Sequence, residues 1–600
     1  MESASSRFFK LPELITLLAS LLSKNDLSTL MRTSQQLHAT CQPTFLREID
    51  LVQTHRALCN NKDGFYALVR NADLIQSLTL NPKSGTQYYA YASMLDVWQD
   101  TNKGLSKSTP SSPRHVNMAT SRKKIYSSFN FLYQLRSILG LSPRLAELYL
   151  HRVRIEQESW IHHLAKTISG IATLQTLHLT IFSAENLPAI IAPTIFFACP
   201  PMIRTLSIKT YSLRAGTYRA TTGALNEEPP TPRQTPLHYL TDLTMAVEHR
   251  LQFSDILAIL DHCPEIVSMN IPIIQPFSDR EQAAAAILDL CPKLRNLSLH
   301  EHSDTISEQV LFAILGVMPK DTLQSFSYSL YRERMYNSLV VPLERHFDSL
   351  RSIKLIECIW IRPEQVQAIL FTCSVLEVFV ITEANDHELS ITVGDLVEEL
   401  WASTRIVELA LVVNIGAIES PRYQRRRDFT EEEREQVSLF ERFFRQLGSL
   451  AALRALCLSV LVSADVLDME SNPLAFRDYT FPGLLALGDD VDPEGRWGCL
   501  QELAGLKYLE VVRGSFNTDA WLPAGYEFEK QDVEYMAVHW PRLRSIEFVL
   551  PYHFVDTERD NLASHPYIRW LRNQLPQVKI AVLHNSTSGH VDEIKGVDFE

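Results

Sequence analysis

"LAELYL" (residues 145–150) and "LQTLHL" (residues 174–179) are two copies of one pattern, L-x-x-L-x-L, set one repeat apart. With Ile, Val, Met or Phe replacing Leu, the pattern returns from residues 203, 240, 266, 294, 323, 350, 376, 406, 453, 506 and 543. An earlier variant starts at Leu74. Most copies begin about 26–30 residues apart, near the upper end of the leucine-rich repeat range. Longer gaps follow the copies at 203, 406, 453 and 506.

Alternation within the last part of each copy places its apolar residues on one face of a strand and the intervening residue on the other. Helical stretches lie between copies. In 253–262, Phe253, Ile256, Leu257 and Leu260 share one helical face. Several end in Cys-Pro (Cys199-Pro200, Cys263-Pro264, Cys291-Pro292), and proline does not continue a helix. A strand-turn-helix unit of this size cannot bury its apolar side alone, so neighbours stack. The expected fold class is therefore α/β: an irregular leucine-rich-repeat solenoid over residues 51–600, with parallel strands on the concave side and helices on the convex side. Insertions are expected near 101–124, 214–236, 417–450 and 470–500.

Segments 101–124 and 214–236 are rich in Ser, Thr and Pro, and read as loops that carry Thr-Pro and Ser-Pro steps. The basic run at Arg425 resembles a localisation signal, but Thr430 and Glu433 have capping-box spacing. Val437, Phe440, Phe444 and Leu447 then make an apolar face. A long inserted helix is the simpler reading of that stretch.

The chain has 600 residues, 46% of them apolar, and a net charge of −13. That charge disfavours a general nucleic-acid binder. The opening residues lack the pattern of a secretory signal. The apolar run 187–199 is too short to span a bilayer and holds Pro188 and Pro193. The nine cysteines are scattered singly, with no C-x-x-C pair. The expectation is an intracellular protein, cytoplasmic and/or nuclear, without a membrane partner.

No phosphate-binding glycine motif, nucleophile elbow or H-E-x-x-H occurs. His300-Glu301-His302 and His162-His163 lack further ligands at metal-site spacing. Cys199, Cys263 and Cys291 recur at one repeat position, which is a packing position in a solenoid. The reading is a non-enzyme without cofactor or metal.

Ahead of the repeats, residues 8–41 read "FFKLPELITLLASLLSKNDLSTLMRTSQQLHATC". Pro12 suits a first helical residue and Glu13 the first turn. Leu14, Leu17, Leu18, Leu21 and Leu22 follow at helical spacing. Asn25 or Asp26 could cap a second helix bearing Leu27, Leu30 and Met31. Ser34 could open a third, holding Leu37 and Cys41, with Pro43 as its stop. Residues 1–50 thus form a three-helix bundle.

Leu11-Pro12-Glu13-Leu14-Ile15, then Asp26-Leu27, Leu30, Ser34 and Leu37, resemble the F-box, although its usual closing Leu-Trp is here Phe45-Leu46. The whole chain resembles F-box proteins with C-terminal leucine-rich repeats, of fungal type. That resemblance implies a substrate-recognition subunit of an SCF-type cullin-RING ubiquitin ligase. Its partners would be the adaptor subunit, the cullin complex and an unknown protein target. Leu11, Pro12, Leu14, Ile15, Leu18 and Leu27 would contribute to adaptor docking or to the bundle interior. Target contacts would come from outward strand positions: Tyr149, His151, His178, Lys209, Asn270, Ser298 and His300. The alternative is a ligase-independent scaffold or regulator built on the same repeats.

Overall fold

The structure, a computed structural model, describes residues 11–50, 70–80, 135, 139–140, 142–155, 157–183, 187–212, 235–247, 251–270, 280–300, 305–329, 339–356, 361–382, 391–414, 431–461, 499–515, 530–550, 566–585 and 591–592. The expected insertions at 101–124, 214–236 and 470–500 fall almost wholly outside these residues, as do Glu301, His302 and Thr430.

Three helices open the chain: α1 (Pro12–Leu21), α2 (Lys24–Met31) and α3 (Gln35–Arg47). Ile15, Ala19, Leu27, Leu37 and Cys41 form their shared core, with Leu22, Leu30, Met31 and Phe45 packed around it. Two local expectations change. The cap of α2 is Ser23, whose Oγ accepts from the Asp26 N–H at 3.2 Å, while its own hydroxyl donates to the Asp26 carboxylate at 2.6 Å. Asp26 therefore completes the cap from the first turn instead of starting the helix. Ser34 caps α3 as expected, accepting from the Leu37 N–H at 3.1 Å. Pro43, however, lies inside α3. It is exposed, so its ring meets solvent, and burial of Cys41 and Leu46 on either side carries the helix past it.

The chain forms two compact units, Met1–Leu294 and Arg295–Glu600. In the first, parallel strands follow in chain order: β1 (Glu48–Asp50), β2 (Ser77–Leu80), β3 (Glu147–Ile155), β4 (Thr176–Ser183), β5 (Thr205–Ser212), β6 (Asp242–Val247) and β7 (Ser268–Asn270). Between them lie α4 (Glu158–Ser169), α5 (Pro188–Ala198) and α6 (Phe253–Leu260), and α7 (Arg280–Leu290) follows β7. The second unit continues the scheme with parallel strands β8 (Asn296–His300), β9 (Ser325–Ser329), β10 (Ser352–Ile356), β11 (Val378–Thr382), β12 (Glu408–Asn414), β13 (Ala455–Leu461), β14 (Val511–Ser515), β15 (Ser545–Leu550) and β16 (Lys579–Asn585). Strand β17 (Val591–Asp592) closes it antiparallel to β16. This is the α/β repeat solenoid that the sequence pattern implies.

One backbone contact recurs at the second position of the motif. The Gln76 carbonyl accepts from both Ala146 and Glu147 N–H groups, at 2.8 and 2.9 Å. The Ala146 carbonyl does the same for Gln175 and Thr176, Gln175 for Arg204 and Thr205, and Arg204 for Thr241 and Asp242. In the second unit Arg295, Gln324, Arg351, Glu377, Val407, Arg454 and Glu510 each take the same pair from the next repeat. Both lone pairs of one carbonyl are thus used, and the register of successive strands is set before the strand ladder begins.

This contact corrects two repeat frames. Register places Leu78 against Leu148 and Val512 against Leu456. The early copy therefore starts at Ile75 instead of Leu74, and the late one at Leu509 instead of Leu506. It also reveals a first copy that opens Leu46-Arg47-Glu48-Ile49-Asp50, whose Arg47 carbonyl accepts from Gln76 at 2.8 Å. Leu46 and Arg47 belong to α3 as well.

The recurring cysteines are interior. Cys199, Cys263, Cys291 and Cys373 are free and buried. The Cys199 and Cys263 thiols donate to carbonyls one turn back, Ile195 at 3.3 Å and Ile259 at 3.2 Å. Burial pushes the Cys291 and Cys373 thiols up to about 12, which removes thiolate chemistry at neutral pH.

In the second unit α8 (Thr305–Val317), α9 (Val340–Glu344), α10 (Pro363–Thr372) and α11 (Val393–Leu396) follow β8, β9, β10 and β11 in turn, and the helix expected near 431, α12 (Glu431–Gly448), lies between β12 and β13, the place that a repeat's own helix takes. Phe440, Phe443, Phe444 and Leu447 are its buried face. Its last residue, Gly448, abuts the backbone of the short 3-10 turn Leu500–Leu503, where a Cβ would collide with the Glu502 carbonyl. Glycine is required there by close approach.

Pro43→Ala should restore an N–H donor for the Ala39 carbonyl and lengthen the protection of α3. The expected gain is about 1–2 kcal/mol, after the looser unfolded chain is offset. Slower amide exchange across residues 39–46 is the measurement, and unchanged exchange would contradict a cost to α3 from the missing N–H donor at this proline.

Candidate functional site

The described residues present two candidate surfaces. The first is on α1. Helical geometry puts Leu14, Leu17 and Leu21 at i, i+3 and i+7, one stripe along the helix. That stripe is not the one that packs the bundle. Leu11 is 47% exposed, Leu14 38%, Leu17 59% and Leu21 77%, and Pro12 is also exposed. Ile15 and Leu27 are buried in the bundle core, and Leu18 is half-buried between the two sides. The six residues expected for docking or core thus divide: Leu11, Pro12 and Leu14 face solvent, Leu18 straddles, Ile15 and Leu27 support. Leu17 and Leu21 join the exposed stripe, which spacing from Leu14 would have indicated.

The second surface is the outward face of β3–β5. Register stacks Tyr149 against His178, and their rings are parallel at 4.8 Å with an angle of 5°. One step along, β3 carries a bulge. Leu150 pairs with Leu179 and Val153 with Ile181, so His151 and Arg152 together oppose Thr180. Arg152 has φ 59°, a left-handed conformation that costs energy for a non-glycine residue and turns its exposed side chain out of the pleat. Lys209 pairs with Thr180 and Ala246. The next row holds Phe182 and Tyr211, stacked at 5.2 Å.

Tyr149, His151, His178 and Lys209 are therefore one cluster. The others are not. Asn270 is only 4% exposed, which corrects its expected place on the open surface. Ser298 is half-buried on β8 in the second unit, where His300 also lies, the latter's side chain being outside the described residues. Arg152, Phe182 and Tyr211 were not anticipated. They lie beyond the six-residue motif, on the extensions that make β3–β5 eight or nine residues long. The period-2 pattern His178, Thr180, Phe182 carries the signal.

Electrostatics keep the imidazoles neutral near pH 7. Burial lowers the His151 pKa, partly opposed by the Asp50 carboxylate. Burial also lowers that of His178, assisted by His151 and Lys209. Tyr149 is raised by burial and by Glu147, whose carboxylate lies 3.5 Å from the phenol oxygen.

No protein-family model matches the chain, and no curated protein sequence matches it. Among solved structures it is similar to one described as the crystal structure of the Rad7 and Elc1 complex in yeast. The TM-score is 0.37 and the identity 14%, over 84% of this chain and 96% of that one. A likeness at that level is no basis for transferring a role.

Among the described residues, no three His, Cys, Asp or Glu side chains converge to hold a metal ion. His163 is buried, and His162 lies 3.9 Å from Glu158 on the same helix. No helix among the described residues is long and apolar enough to cross a membrane. What the two surfaces offer chemically is contact area: an aliphatic stripe on α1, and an aromatic floor edged by cations on β3–β5.

The buried His346, whose Nε2 lies 3.3 Å from the Leu315 carbonyl, is likewise lowered by burial. For His151, His178 and His346 the folded value lies below the unfolded value of about 6.5. The unfolded chain then binds more protons, so the stability present above about pH 6.5 is lost as pH falls. The melting temperature should drop between pH 7 and pH 5. His346→Gln should make that drop shallower, and an identical pH profile would refute a neutral buried imidazole at this position.

Proposed function

We propose that this protein is the substrate-recognition subunit of an SCF-type cullin-RING ubiquitin ligase. Its N-terminal bundle docks on the adaptor subunit and its repeats hold a target protein. The observation that carries this reading is the leucine stripe of α1. Leu11, Leu14, Leu17 and Leu21 are exposed although the bundle has a filled core of its own. A contiguous apolar stripe on a bundle already packed from within marks an interaction site. Its sequence, Leu11-Pro12-Glu13-Leu14-Ile15, is the part that resembles the F-box.

The chain would itself carry out no covalent chemistry. It would raise the concentration of a target beside a ubiquitin-charged partner, the gain that linkage gives without any new bond. Cullin association would be indirect, through the adaptor. Cytoplasm and nucleus are the compartments in which such a receptor would act.

Leu14→Glu combined with Leu17→Glu should weaken adaptor binding by at least ~100-fold, since buried interface anchors contribute roughly 2 kcal/mol or more each. Both residues are exposed, so the melting curve should stay unchanged. Adaptor subunits from the protein's own source, titrated against the intact chain in a binding assay, provide the measurement. If none binds the unmodified protein, the receptor reading falls and the scaffold alternative takes its place.

A further inference from the structure

The strand face of the first unit carries a charge gradient that the receptor reading does not by itself require. Positions on the side of the sheet away from the leucines fall into rows across β3–β6, with Ser207 and Ala246 among them buried. The row nearest the strand starts holds Glu147, Thr176, Thr205 and Asp242. The next holds Tyr149, His178, Ser207 and Thr244. Beyond it come His151 and Arg152 against Thr180, Lys209 and Ala246, and then Arg154, Phe182 and Tyr211. Acid at one end of the strands gives way to Arg152, Arg154 and Lys209 at the other, with two aromatic stacks between and among them.

Elsewhere in the chain, strand cations are met from within. Arg513 on β14 donates through Nε to its register partner Glu547 at 2.7 Å, and Lys354 lies 3.6 Å from Glu408. Lys209 has only Thr180 and Ala246 beside it in the ladder. Among the described residues, neither Lys209 nor Arg152 forms an ion pair. The bulge at positive φ returns Val153 and Ile155 to the core side after Leu148 and Leu150, and the backbone conformation that does so leaves the Arg152 side chain exposed beside His151.

We infer that the β3–β5 face binds an extended acidic segment of a partner protein, its carboxylates on Arg152 and Lys209 and an aromatic side chain on the Tyr149–His178 and Phe182–Tyr211 stacks. This names the class of target for the receptor reading and rests on it. Strands β3 and β5 lie two strand spacings apart, about 10 Å, which an extended peptide spans in two to three residues. The expected pattern is thus two acidic residues two or three positions apart, with an aromatic residue next to them. A polyphosphate backbone fits less well, because the acidic row with Glu147 and Asp242 would repel a long polyanion laid along the same strands.

The test presents the full-length protein to a phage library of random linear peptides and measures the affinity of the most enriched sequence. Enriched peptides should pair Asp or Glu with Phe, Tyr or Trp at that spacing. Their affinity should fall about tenfold for Lys209→Ala and again for Arg152→Asn, a residue that tolerates the left-handed conformation. It should also weaken with added salt. Basic or uncharged consensus sequences, no enrichment, or affinity unaffected by both substitutions would overturn the inference. So would tighter binding of a single-stranded oligothymidylate than of any peptide. Adaptor binding is measured on the unmodified protein in parallel. Its absence with peptide binding intact sinks only the receptor reading, and the reverse sinks only the acidic-segment proposal.

Discussion

A single carbonyl per repeat, accepting two N–H groups from the repeat that follows, holds this architecture in register. Side-chain burial alone would let neighbouring strands slip by two residues, since a two-residue shift keeps every leucine on the core side. The paired contact at Gln76, Ala146, Gln175 and Arg204 removes that freedom, because both donors must meet one oxygen. It also operates where side chains differ widely, and the carbonyl belongs to Gln, Ala, Arg, Thr, Glu or Val without consequence. Backbone geometry makes the repeat, and sequence at this position is free to drift.

That division explains what could be read from the residues alone. Strand leucines are legible because burial of alternate positions is a period-2 pattern visible in any copy. Frame is less legible. Leu506 and Leu509 are both fully buried, so the pattern fits two ways and only the Glu510 carbonyl contact decides. Leu74 and Ile75 pose the same ambiguity by adjacency. The copy from Leu46 was invisible because its first two residues are helical. Pro43 is a different case: proline ends helices on average, yet here its ring faces solvent while Cys41 and Leu46 on either side are buried.

The candidate surfaces show the same limits. Composition marks 11–22 as leucine-rich, but only packing separates Ile15, which supports, from Leu14 and Leu17, which are displayed. On the strands, alternation identified Tyr149, His151, His178 and Lys209 as outward. The cation that the bulge at Arg152 adds to that group has its signal in β3 itself, where the buried residues pass from Leu148 and Leu150 to Val153 and Ile155 and break the alternation. Asn270 follows the same alternation and is nonetheless enclosed.

Leu46 and Arg47 end a helix and begin a repeat in the same backbone turn. Two modules joined by a loose tether sample many mutual orientations, and a cargo held by one is smeared over a volume around the other. Here no tether intervenes: α3 runs straight into β1, and the Arg47 carbonyl is hydrogen-bonded to Gln76 of the next copy. A cargo on β3–β5 would then meet a partner on α1 over a narrower range of angles than a tether allows. Which part of the cargo comes within reach would be set at the joint, and substitution of either surface would leave that unchanged.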